Sequence, residues 1–191
     1  ANILNIPTRA ISLNGSLGLA FGARGKGGKN AAAAHYEPGK VVINLTKQNG
    51  PGSLAHEWWH ALDNHFAKME TNIGMMTEAN ARTQTGSVRL EMVEAFSEIT
   101  KAIRATGLTK RSKELDNRRS GDRYWHTMLE MSARSFENYI LERLKGLEVS
   151  NDYLVNISDI SEYADSMLNA FIEGDQAADD LYPYLTQAEV G

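Results

Sequence analysis

Two histidines four positions apart, His56 and His60, can present their rings to one point only if the chain between them is helical. At about 100° per residue, four steps bring His60 to within about 40° of His56, one turn further along the axis. The surrounding residues support that geometry. Ala55, Trp58, Leu62 and Phe66 fall at i, i+3, i+7 and i+11, one apolar face, and predict a helix over about Leu54 to Ala67. It starts just after the breaker Asn49-Gly-Pro-Gly52, with Ser53 in the N-cap position.

His56-Glu57-Trp58-Trp59-His60 fits H-E-x-x-H, in which two imidazoles hold a metal ion and the intervening carboxylate activates a metal-bound water. The chain has no cysteine, so any metal must be held by histidine and carboxylate. A catalytic zinc takes three protein ligands and keeps one position open. The downstream-histidine variant fails here, because Asp63 stands at its glycine position, Phe66 at its third-histidine position, and His65 comes one residue early. A carboxylate from a remote helix is therefore expected. Glu130, Arg134 and Glu137 share one polar face of a helix predicted from Tyr124 to Lys145. Glu130 is the preferred third ligand and Glu137 the alternative, with Arg134 as partner to either carboxylate. His126, one turn before Glu130, is the remaining candidate, either as ligand or as donor to the oxyanion formed when water attacks a carbonyl. Asp63, on the ligand side of the first helix, is either an acceptor for the second ring N–H of a ligand histidine or an ordinary surface acid.

Before the motif the chain reads as strands and turns, and after it as helices, an α+β arrangement with a β-rich part over about 1–50 and a helical part over about 53–191. Ile11 to Phe21 is one strand region, interrupted at Gly15 and Gly18. Val41 to Thr46 is a second, preceded by the turn Glu37-Pro38-Gly39-Lys40, which predicts a hairpin with Ala31 to Tyr36. Val41 to Thr46 is placed to pair with an extended peptide if it is an edge strand. Gly22 to Lys29 fits no register of the phosphate-loop pattern and reads as a flexible glycine loop. A helix over about Val88 to Ala105 should bury Met92, Ala95, Phe96, Ile99 and Ile103, and stop at Gly107. Thr109 to Arg123 reads as a polar loop, either a solvated surface or a basic nucleic-acid contact. A last amphipathic helix is expected over Ile160 to Ile172.

The 191 residues fit one domain, with 42% apolar content sufficient for a core. A net charge of −4 gives no overall attraction to nucleic acid or anionic membrane. No apolar run reaches the roughly 18 residues of a membrane span. A soluble intracellular protein is expected. Because the chain opens without Met, a piece of a longer polypeptide is expected as well.

The chain resembles the large polyvalent protein-associated domain of the first type. The resemblance rests on Leu17 to Gly25, Ala34-His-Tyr36, Val42-Ile-Asn-Leu45, Gly52 to Asp63, Glu130 to Tyr139 and Asp152-Tyr-Leu154. Ser132 and Ser135 depart from it, standing where larger or apolar residues are expected. The resemblance implies a zincin-like metallopeptidase module of a multidomain phage or conjugative-element protein. It also implies a zinc held by His56, His60 and Glu130, action in the cytoplasm of a bacterial host, and the other domains of the parent polyprotein as partners. It names no substrate. The rival expectation is a non-catalytic, metal-stabilised or metal-free module that grips a host protein or nucleic acid.

Overall fold

The computed structural model describes residues 1–22, 34–46, 52–70, 74–78, 88–118, 123–157 and 181–190. The glycine stretch beyond Gly22 and the helix expected over Ile160 to Ile172 lie outside these residues. The described chain is α+β, with a small three-stranded sheet and several helices. Its elements run α1 (Thr8–Ile11), β1 (Gly18–Phe21), β2 (Ala34–Glu37), β3 (Val42–Leu45), α2 (Leu54–Glu70), α3 (Leu90–Ala105), α4 (Leu108–Asn117), α5 (Met128–Gly146) and α6 (Gln187–Val190).

The sheet order is β1-β3-β2, with β3 parallel to β1 and antiparallel to β2. The Pro38-Gly39 turn closes the expected hairpin, in which Tyr36 pairs with Ile43. The first strand is shorter than its sequence suggested, spanning only Gly18–Phe21. The residues before it form α1 and then a turn in which Leu13, Asn14 and Gly15 all have positive φ, a backbone that no strand can adopt. Val42–Leu45 is central, with neighbours on both sides, so it has no free edge to offer a peptide.

Helix α2 lies against β2 and β3 on one side and α5 on another, and α5 also packs on α3 and α4. Phe136 of α5 sits between the two tryptophans of α2, with ring centroids 5.5 Å from Trp58 and 5.1 Å from Trp59. Aromatic pairs of this kind add about 0.5–1.5 kcal/mol each beyond area burial. Both buried indoles are satisfied, Trp58 by the Ile11 carbonyl and Trp59 by Ser132 Oγ. Ser132, small where a larger residue was expected, is thus the acceptor that lets Trp59 be buried.

The entry to α2 is set by Gly52, whose φ is +91° and whose added Cβ would stand 2.5 Å from Asn156 Cβ. That contact brings Asn151 to Asn156 across the helix N-terminus, where the Tyr153 and Leu154 carbonyls accept the N–H groups of Leu54 and Ala55. The first turns of α2, which carry the motif, are held from outside the helix.

Two expectations need correction. Residues 109–117 form α4 rather than a loop: Leu108, Ser112 and Leu115 fall at i, i+4 and i+7 and are buried, a short apolar stripe masked by the charged residues between them. Within this helix and beside it, Arg111 pairs with Glu189 and Arg118 with Glu114, the latter at the surface. In α3, Ala95 is exposed, while Val93 and Thr100 join Phe96 and Ile103 in burial. Among the described residues, no helix is long and apolar enough to cross a membrane.

Candidate metal centre

The motif occupies the first two turns of α2, and α5 runs alongside it. The polar stripe of α5 is buried rather than solvated: Glu130, Arg134 and Glu137 are all inside the fold. Glu130 and Glu137 face the histidines of α2, while residues 181–190 lie against Arg134 and Asn138. Arg134 donates to the carbonyls of Pro183 and Trp125 and to Ser112 Oγ, and Asn138 exchanges hydrogen bonds with Leu185. Arg134 therefore binds no carboxylate directly, contrary to its expected role, although its charge is felt at Glu130 and Glu137.

One ligand atom each from His56, His60 and Glu130 can be chosen so that all lie within 4.8 Å of one another. Glu130 Oε2 is 3.2 Å from His56 Nε2, and Oε1 is 3.5 Å from His60 Nε2. Among the described residues, neither Glu130 Oε2 nor the buried His60 Nδ1 makes a hydrogen bond of ordinary geometry. The two imidazoles meet edge to face, with centroids 4.7 Å apart. Glu137 approaches His56 from its other side, with Oε2 3.1 Å from Nδ1.

Burial opposes the positive charge of His56, but Glu130 and Glu137 outweigh it and raise its pKa to about 10. Burial likewise opposes ionisation of Glu130, and the two histidines beside it override that and hold its carboxyl well below the usual range. Glu57 goes the other way. Burial raises its pKa, and the two histidines and the Tyr36 backbone N–H only partly offset this. A carboxylate tuned upward in this way is suited to accept a proton near neutral pH.

Several residues lie elsewhere than expected. Asp63 is fully buried, but its carboxylate accepts from the N–H and hydroxyl of Thr77 and orients no histidine. His65 is outside the cluster, packed edge-on against Phe66. His126 is also outside it, with Nδ1 bound to Asp116, whose carboxylate further accepts the backbone N–H groups of Tyr124, Trp125 and His126. That anchored turn delivers Tyr124 to the site, a residue with no motif to mark it. Burial together with the charge of Glu130 pushes the Tyr124 phenol up. The other unforeseen participant is the Tyr36 N–H, which only the sheet order places at Glu57.

The model of one protein family, large polyvalent protein-associated domain 1, matches residues 115–189. The matched stretch includes α5 and residues 181–189 but not α2, so it is narrower than the resemblance read from the sequence, which leaned on residues 17–63. No curated protein and no solved structure matches the chain.

Proposed function

We propose that the chain is a zincin-like zinc metallopeptidase module, with His56, His60 and Glu130 as ligands and Glu57 as general base. The observation that carries this reading is the convergence of three ligand atoms from two helices beside a buried carboxylate of raised pKa. The donor set also suits a divalent cation. Glu57, Asp63, Glu130 and Glu137 are all buried, an excess of acid in the interior on the side of the two histidines. Two of the buried polar atoms, His60 Nδ1 and Glu130 Oε2, make no hydrogen bond of ordinary geometry among the described residues.

Zinc, when bound, would supply Lewis-acid polarisation of a carbonyl and acidify water. The chain's own groups do the rest. Glu57 takes the proton of the attacking water and returns it to the departing amide nitrogen. The Tyr124 hydroxyl, beside Glu130, donates to the developing oxyanion, and His126 on the same turn is the second donor. An extended substrate pairs with β2 instead of β3, because β2 is an edge strand among the described residues and, unlike the other edge β1, packs beside Glu57 on α2.

The partial family match supports a setting as one module of a polyvalent protein of a phage or conjugative element, working beside that protein's other domains on a peptide or protein in the bacterial cytoplasm. The test is metal analysis of protein purified without chelator, together with cleavage of a peptide library. About one equivalent of zinc and chelator-sensitive cleavage are expected. Less than about half an equivalent, with melting unchanged by chelation, would reduce the chain to a binding module.

A further inference from the structure

We propose that Glu137 is a positioning residue, which accepts the Nδ1–H of His56 and so turns Nε2 of that ring toward His60 and Glu130, ready for a divalent cation. The inference rests on the metal reading above and deepens it. Glu130 and Glu137 stand two turns apart on α5 and reach the same imidazole from opposite sides, at 3.2 Å from Nε2 and 3.1 Å from Nδ1. An ionised carboxylate only accepts, so a hydrogen bond at that distance requires the proton to be on Nδ1. A cation taken up at Nε2 displaces the proton facing Glu130 and leaves Nδ1–H on Glu137.

The burial of Glu137 keeps water from taking over the contact, since the residue is 5% exposed. Glu137 is itself no part of the cluster of ligand atoms, because it addresses the nitrogen that points away from it. His60 provides the contrast. Its Nδ1 is buried without a partner among the described residues. The two histidines of the motif are thus unequal: His56 has a carboxylate behind its Nδ1 and His60 has none. A carboxylate behind a ligand imidazole both fixes its tautomer and strengthens it as a donor, and losing such a partner commonly weakens metal binding about 10–100-fold.

Zinc affinity, measured by competition with a chromophoric chelator, tests this in wild type, Glu137→Gln, Glu137→Ala and Glu130→Gln. The ring 15N shifts of His56 in the zinc-loaded proteins give a readout that a merely structural role would not move. Glu137→Ala should weaken zinc binding about 10–100-fold and lose the Nδ1–H signature. Glu137→Gln keeps an acceptor oxygen and should recover most of the affinity and the signature, while Glu130→Gln should lose more affinity than either. Wild-type affinity and unchanged His56 shifts in Glu137→Ala would overturn the positioning role alone. Abolished binding in both Glu137 variants, with Glu130→Gln still loaded, would make Glu137 the ligand and overturn the proposal. A wild-type protein that takes up no zinc would overturn the metal reading, and this proposal with it.

Discussion

Trp59 donates its indole N–H to Ser132 Oγ across 2.9 Å, at a point where both side chains are buried. Ser132 in turn donates a hydrogen bond to the Leu129 carbonyl, so one hydroxyl serves both helices. The bond lies one residue before His60 and two after Glu130, and it fixes the register in which α2 and α5 present their ligands. Ser132→Ala leaves a buried indole N–H unpaired and should cost about 1–3 kcal/mol. Urea unfolding reads this directly, and an unchanged midpoint would show that the indole finds another acceptor.

Gly52→Ala should be as damaging, for a different reason. The position has φ +91°, and the new methyl would stand 2.5 Å from Asn156 Cβ, so the segment that caps α2 must move. A loss of about 1–3 kcal/mol is expected from the backbone strain alone. Hydrogen exchange at Leu54 and Ala55, whose N–H groups bond Tyr153 and Leu154, should accelerate more than exchange in α3.

The two acids nearest the histidines should separate cleanly by their effects. Glu57→Gln keeps the ligand set intact and should retain zinc while lowering peptide hydrolysis about 10²–10⁴-fold. Glu130→Gln removes a charged ligand and should lose zinc and hydrolysis together. Hydrolysis surviving in Glu57→Gln would leave the raised pKa of that carboxyl without a catalytic meaning.

Acid should loosen the C-terminal segment. Burial opposes ionisation of Glu189, yet Arg111 and the N–H groups of Thr186 and Gly107 lower its pKa from 4.5 to about 2. A depressed pKa in the fold means the stabilisation is complete above the unfolded value and fades as pH falls through the folded one. The Tm gap between wild type and Glu189→Gln should therefore be constant from pH 7 to about pH 5 and shrink between about pH 4.5 and pH 2. A gap that holds at pH 2 would mean the contact does not depend on the charge.

How far these features could be read in advance depended on whether they are local. The helical phase of His56 and His60, the Pro38-Gly39 hairpin and most of α3 follow from spacing within one element, and the structure contains all three. Residues 109–117 misled because a helix with three buried positions among many charges carries almost no apolar period. The central place of β3 could not be read because strand order is decided by packing between elements. Glu130 and Glu137 could be placed on one face of α5, but the choice between facing the cluster and facing His56 Nδ1 needed the position of α2. Tyr124 depended on Asp116 gathering three successive N–H groups, a turn with no sequence signature.

Residues 182–185 are gripped at the main chain from three side chains, Arg111 to the Tyr182 and Tyr184 carbonyls, Arg134 to that of Pro183, and Asn138 to Leu185. Such a clasp recognises the course of a strap and is indifferent to much of its lettering. The exception is Leu185, whose side chain packs on Ile103, Leu108 and Met131, whereas a single deletion that shortened the strap would strip Arg134 and Asn138 of their partners. Lettering and length are thus constrained by different contacts in the same few residues, which a saturation library alongside a deletion scan would make visible.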